Sequence, residues 1–182
     1  MYDIKQLVMG YETILKGEFR FDRPLSEAHR KYLMTFCETR RVKRDPKKLR
    51  DYNVESNDET LLEDPVRLAA GLPSPGIDGE YFVGNTKNMG QDKDISTVDT
   101  NVPPSTQPSL WCDWIPNEDG TKIVIDDILK FYGHNEWLVY IIENFIKPWG
   151  YSMSGSVKWQ GEEPRDKGVI RVRHNRVIIT NN

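Results

Sequence analysis

The longest apolar pattern in the chain spans residues 135–149 and has the period of a buried α-helix. Asn135 is a predicted N-cap, and Pro148 with Gly150 predicts where the helix ends. One wide face of this helix carries large apolar side chains: Trp137, Leu138, Ile141, Ile142 and Phe145. The pattern therefore predicts a central helix that packs its apolar face against the rest of the domain.

Two further helices are predicted in the first forty residues. Ser26 is a predicted N-cap, and the helix Glu27–Thr39 that follows it places Leu33, Phe36 and Cys37 on one face. Apolar residues also recur with helical spacing through residues 2–15, which predicts a short N-terminal amphipathic helix.

Alternation of apolar and polar residues predicts short strands elsewhere. His174-Asn175 is the predicted two-residue turn of a C-terminal hairpin, because Asn tolerates a positive φ. The predicted strands lie at residues 17–22, 80–84, 108–116, 121–126 and 154–161 and in the hairpin 168–179.

This order of elements predicts an α+β fold in which an antiparallel sheet carries both main helices on one face. Two β-α-β-β units, beginning at Gly17 and Lys122, suggest a ferredoxin-like or related split layout. The 182 residues are expected to form one domain. An insertion rich in basic and acidic residues, at about 40–79, and a long polar loop, at about 85–107, interrupt this domain.

Composition indicates the cellular compartment in which the protein is expected. The net charge is −3, and no apolar run approaches the roughly 18 residues of a membrane span. The first ten residues do not resemble a signal peptide. The two cysteines, Cys37 and Cys112, fall in predicted buried elements, so we expect reduced thiols in a cytoplasmic protein. A disulfide between them is possible only if their Cα atoms lie within about 7 Å.

The densest charge feature follows the helix Glu27–Thr39. Seven basic residues lie within eleven positions: Arg40, Arg41, Lys43, Arg44, Lys47, Lys48 and Arg50. They form either a solvated loop that nearby acidic residues balance or a patch that binds phosphates or an acidic partner. A third alternative is that the acidic residues Glu59, Glu63 and Asp64 make the contact by imitating the phosphates of DNA.

Motifs for catalysis are absent from the sequence. It contains no GxxxxGK[ST], GxGxxG, HExxH or CxxC, so neither a cofactor nor a metal ion is expected. One enzymatic alternative stays open, because carboxylates could hold a divalent metal ion in a nuclease. The candidates for that role are Asp113, Asp126, Asp127 and Glu162.

Several stretches resemble small proteins of phages and bacterial mobile elements. They are FxFxRPLSEAHRKYL, LWCDW, FIKPWGYSMSGSVKWQGEEPRDKGVI and RVRHNRVII. Among characterised proteins of this size, the chain most resembles type II-A anti-CRISPR inhibitors, a likeness that rests on length, polar character and the absence of catalytic motifs.

This resemblance implies a non-catalytic binding protein that helps a phage or mobile element to evade antiviral defence. Such a protein would act in the cytoplasm of a bacterial host cell. Its implied partner is a CRISPR type II nuclease, alone or with its guide RNA, and its implied effect is to block binding of target DNA. No motif defines catalytic residues that could be transferred to this chain. A further alternative is a structural or regulatory protein of host takeover whose partner is unknown.

Overall fold

A six-stranded antiparallel sheet forms the centre of the protein. The computed structural model describes residues 12–45, 47–48, 70–71, 96–105, 107–126 and 133–181. The strands of this sheet are β1 (Thr13–Phe21), β4 (Trp114–Pro116), β5 (Lys122–Ile125), β6 (Met153–Gly161), β7 (Lys167–Arg173) and β8 (Arg176–Asn181). A separate two-stranded sheet pairs β2 (Lys43–Arg44) with β3 (Thr97–Asp99).

The strand order of the large sheet is β4-β5-β1-β6-β7-β8. Helix α1 (Glu27–Glu38) follows β1, and helix α2 (His134–Ile141) joins β5 to β6 and continues as a π-helical turn over Ile142–Ile146. The order β1-α1-β4-β5-α2-β6, with β1 between β5 and β6, is the split β-α-β layout of ferredoxin-like domains. The hairpin β7-β8 extends that layout at one edge, so the predicted α+β class is confirmed.

Both helices pack on one face of the sheet, as the sequence predicts. Phe19 in β1 and Val157 in β6 are fully buried beneath the helices. They belong to the same cluster as the helix residues Phe36, Leu138 and Phe145. Phe36 and Phe145 meet in a T-shaped contact with ring centroids 4.8 Å apart, a geometry that aromatic rings favour.

Two local predictions about the ends of elements are confirmed. The Ser26 side chain accepts a hydrogen bond from the backbone N–H of His29 at 3.2 Å, which caps α1. His174 and Asn175 have φ angles of 45° and 66°, as a two-residue type I′ turn between β7 and β8 requires.

Two other predictions about element ends are wrong. Residues 13–15 do not belong to an N-terminal helix, because β1 begins at Thr13 and pairs there with β6; residues 2–11 of that predicted helix lie outside the described residues. Asn135 is not the N-cap of α2. That position is Gly133, whose φ of 70° lies in the left-handed region.

Only parts of the predicted insertion and of the predicted long loop fall among the described residues. The strand predicted at residues 80–84, and most of the segments at 40–79 and 85–107, lie outside the described residues. Within the loop predicted at 85–107, Thr97–Asp99 forms β3 and pairs with β2 in the basic stretch. This part of the loop is therefore a strand.

Candidate functional site

The basic stretch leaves α1 and turns at once into β2. Lys43 lies opposite Asp99, and Arg44 lies opposite Thr97 in the neighbouring strand β3. The Arg41 backbone N–H donates to the carbonyl of Leu110 at 2.7 Å. Backbone pairing thus fixes the course of this segment against two distant parts of the chain.

Arg41 departs from the exposed patch that the sequence suggests. Its side chain is only 3% exposed, and its guanidinium lies 4.4 Å from the centre of the Phe36 ring. Its Nε donates to the Thr39 carbonyl at 3.1 Å. Burial lowers the pKa of Arg41 from its usual value, because the charged form loses its hydration. A partner at the surface cannot reach this side chain, so Arg41 belongs to the packing of α1 and not to a binding patch.

The other described cations of the stretch are accessible. Lys43, Lys47 and Lys48 are exposed, whereas Arg40 and Arg44 are half-buried. Arg40 donates to the Asn101 side chain at 3.3 Å, and Arg44 donates to Ser96 Oγ at 3.2 Å. We name the set Arg40, Lys43, Arg44, Lys47 and Lys48 the basic segment.

Few acidic groups offset the basic segment in the described part of the chain. There, no carboxylate lies within 4 Å of a charged nitrogen of Arg40, Lys43, Lys47 or Lys48. Asp45 instead accepts hydrogen bonds from the backbone N–H groups of Lys47 and Lys48, at 2.9 and 3.3 Å. Arg50 and the acidic residues Glu59, Glu63 and Asp64 lie outside the described residues.

Two exposed valines lie beside the basic segment. Val98 in β3 is 58% exposed and Val102 is 40% exposed. Val102 is close to the segment, because its carbonyl accepts a hydrogen bond from the Lys43 backbone N–H at 2.9 Å. Apolar side chains flanked by cations suit a protein partner with an acidic surface better than they suit bare phosphates.

The described carboxylates of the enzymatic alternative lie in two separate places. Asp113 and Asp126 are neighbours, since the Asp126 N–H donates to the Asp113 carbonyl at 2.9 Å. Glu162 lies in the turn after β6, where its carboxylate accepts a hydrogen bond from the backbone N–H of Glu12. Asp127 is not among the described residues. Within the described ranges, no group of three His, Cys, Asp or Glu residues could hold a metal ion.

Asp113 is nevertheless an unusual carboxyl group. It is 6% exposed, and burial together with the nearby Asp126 raises its pKa to about 6. A carboxyl group with such a pKa can exchange a proton near neutral pH. General acid–base catalysis would also need a substrate within hydrogen-bond reach of this group.

The two cysteines lie together in the core. Their Sγ atoms are 3.9 Å apart, both residues are free and buried, and the Cys37 thiol donates to the Trp114 carbonyl at 2.8 Å. Burial raises the pKa of the Cys37 thiol, which disfavours the reactive thiolate. These thiols are therefore part of the packing between α1 and β4.

A second set of cations, which no sequence pattern predicts, lies on the face of the large sheet that the helices leave open. Every Lys and Arg in the six strands is on this face: Lys16, Arg20, Lys122, Lys158, Lys167, Arg171, Arg173 and Arg176. We name this set the basic sheet face. The strand alternation was visible in the sequence, but strand adjacency was not, so the cations could not be assigned to one surface.

Comparisons with other proteins leave the chain without a named relative. The described helices include none that is long and apolar enough to cross a membrane. No protein family, curated protein or solved structure matches the chain. The basic segment and the basic sheet face are therefore the features from which a function can be proposed.

Proposed function

We propose that this protein is a non-catalytic binding protein that engages an anionic partner through the basic segment. The observation that carries the proposal is a group of cations, all those of the basic segment except Arg44, that have no carboxylate within 4 Å in the described part of the chain. The pairing of β2 with β3 holds this segment beside Val98 and Val102. Such a group repels itself in isolation and gains favourable interactions when an acidic surface covers it.

The partner that we propose is a nucleoprotein effector in the cytoplasm of a bacterial host, specifically a CRISPR type II nuclease with its guide RNA. Support for this identity comes from the resemblance of the sequence to type II-A anti-CRISPR inhibitors. Binding would block access of target DNA. The valines provide apolar contact, and the cations provide electrostatic complementarity to an acidic partner.

The direct test is a cleavage assay with a purified type II nuclease–guide RNA complex and its target DNA. The wild-type protein should inhibit cleavage and bind the complex. Changing Arg40, Lys43 and Lys47 to Glu should abolish most of the inhibition, because three favourable contacts become repulsive. Arg41 must stay unchanged in this variant, since a buried glutamate at that position would disrupt the fold.

The matched control changes three exposed cations on other surfaces, Lys31, Lys147 and Arg165, to Glu. This control has the same net charge and should keep inhibition. If the segment variant binds the effector as tightly as the wild type at all salt concentrations, the basic segment is not the contact. If the wild-type protein does not bind the effector, pull-down from a bacterial lysate with mass spectrometry would identify a different partner.

A further inference from the structure

The open face of the large sheet carries a charge arrangement that folding alone does not favour. Three pairs of like-charged residues lie directly opposite each other on neighbouring strands: Lys16 and Lys158, Arg20 and Lys122, and Arg173 and Arg176. Like charges at directly opposite positions destabilise a sheet. Glu18 bridges Arg20 and Lys122, but the other two pairs have no such bridge among the described residues, which indicates a surface with a role other than stability.

Acidic residues compensate only a small part of this charge. Glu18 is the one carboxylate in the six strands of the described sheet, and it forms ion pairs with Arg20 and with Lys122. Lys16, Lys158, Arg171, Arg173 and Arg176 are exposed. Within the described ranges, no carboxylate lies within 4 Å of their charged nitrogens. Because the whole chain has a net charge of −3, this face is a local positive region on a slightly acidic protein.

We propose that the basic sheet face binds the phosphate backbone of double-stranded nucleic acid. The proposal does not rest on the basic segment or on the effector proposed above. Serine and threonine hydroxyls lie among the cations, at Ser154, Ser156 and Thr180, and such groups commonly donate hydrogen bonds to phosphate oxygens.

The chemistry of the face favours a duplex over a single strand. Proteins that bind single strands stack the bases on aromatic side chains. In the six strands, however, the aromatic residues Phe19, Phe21, Trp114 and Trp159 point toward the helices. A duplex hides its bases and presents phosphates, which the cations and hydroxyls of this face can contact without reading sequence. The exposed apolar side chains of the face lie away from its centre, with Ile14 near the start of β1 and Ile178 in the edge strand β8.

The spacing of the cations also fits a duplex. One row crosses five strands at Lys122, Arg20, Ser154, Arg173 and Arg176 and spans about 19 Å at the usual strand separation. Lys16 and Lys158 lie four residues away along the strands, or about 13 Å. That separation is close to the width of about 12 Å of the major groove of B-form DNA, so the two rows can contact phosphates on both sides of one groove.

The test is fluorescence anisotropy with a labelled 20-base-pair DNA duplex of arbitrary sequence, together with an RNA duplex and a single strand as parallel probes. We expect duplex binding at low salt, similar affinity for unrelated sequences, and weaker binding of the single strand. Because counterions are released, the logarithm of the binding constant should fall linearly with the logarithm of salt concentration. The RNA and DNA arms show which duplex supplies the phosphates.

The decisive variant changes Lys16, Lys158, Arg173 and Arg176 to Gln. We expect it to bind the DNA duplex at least about tenfold more weakly, with a salt slope reduced by about one for each lost contact. It should also melt at a higher temperature than the wild type, because two opposed like-charge pairs are gone. Weaker binding in a more stable protein would exclude loss of folding as the cause.

The matched control changes Arg30, Lys31, Lys48 and Arg165 to Gln, which alters the net charge equally on other surfaces. This control should keep the wild-type affinity for the duplex. An equal loss in both variants, or no duplex binding by the wild-type protein, would overturn the proposal. Tighter binding of the single strand than of the duplex would overturn the choice of partner.

Discussion

At the scale of single residues, charge in the sequence is a poor guide to exposure. Arg40 and Arg41 are adjacent, yet Arg40 is half-buried at the surface and Arg41 is stacked on Phe36 in the interior. The sequence could not distinguish them, because the segment leaves α1 without helical or strand periodicity. The Arg41 backbone N–H bonds to Leu110, a residue 69 positions away in the sequence, and that long-range contact decides which arginine points inward.

Asp113 permits a prediction about pH. Its pKa in the folded protein is about 6, above the ordinary value of 3.8, so the folded state binds more protons than the unfolded state between these two values. Stability should therefore fall as pH rises from about 4 to about 6 and stay lower above that range. The change Asp113→Asn should remove this loss and stabilise the protein at pH 7 by up to about 3 kcal/mol, measured by urea unfolding at several pH values.

Asp119 provides the contrasting control. Its carboxylate accepts hydrogen bonds from the Thr121 hydroxyl and backbone N–H, and these contacts lower its pKa below the ordinary value. The contribution of Asp119 is thus present at pH 7 and is lost as pH falls. Asp119→Asn should destabilise the protein at pH 7, whereas Asp113→Asn should not. A destabilising effect of Asp113→Asn at pH 7 would contradict the raised pKa of Asp113 in the folded protein.

At the scale of elements, periodicity predicts what is buried better than where an element ends. The apolar face of α2 and of the π-helical turn that continues it is predicted residue by residue, and Trp137, Leu138, Ile141 and Phe145 are all fully buried. The strand β3 was missed, because its three residues, Thr97–Asp99, pair with a two-residue strand far away in the sequence. Pairing over such a distance leaves no pattern in a polar loop.

Phe145 tests the importance of the α2 core. Its side chain is fully buried and contacts the rings of Tyr32, Phe36 and Trp149. Phe145→Ala should cost about 3–5 kcal/mol of unfolding free energy, since it removes apolar contacts and leaves a cavity. Val139→Ala, on the exposed side of the same helix, should cost less than about 0.5 kcal/mol. Equal effects of the two changes in urea unfolding would show that α2 does not anchor the core.

At the scale of the whole molecule, the sequence predicted the α+β class and the helices on one face, because alternation and helical period show which side of each element is apolar. Of the two candidate binding surfaces, the basic segment could be predicted from the sequence and the basic sheet face could not. The basic segment is contiguous in sequence and was found, apart from the burial of Arg41. The cations of the basic sheet face come from five strands, β1, β5, β6, β7 and β8, which are separated in the sequence. They form one surface only when these strands lie side by side in the sheet.

The uneven distribution of charge predicts how salt affects stability. With a net charge of −3, a protein with evenly mixed surface charges would show little effect of salt, or a small loss as surface ion pairs are screened. In this protein, the opposed pairs Lys16 and Lys158 and Arg173 and Arg176 repel each other at exposed positions. Raising the salt concentration should therefore raise the melting temperature, because the Debye length shrinks from about 30 Å at 0.01 M to about 8 Å at 0.15 M.

The variant with glutamine at those four positions separates this effect from others. Without the repulsion it should start from a higher melting temperature at low salt and gain less as salt is added. The control with glutamine at Arg30, Lys31, Lys48 and Arg165 should respond as the wild type does. The melting temperatures of the wild type and the two variants are measured by calorimetry at increasing sodium chloride concentrations, without nucleic acid. A melting temperature that falls with salt in the wild type would mean that the cations of the sheet face are already offset within the chain, and the main reason to assign them a polyanionic partner would be lost.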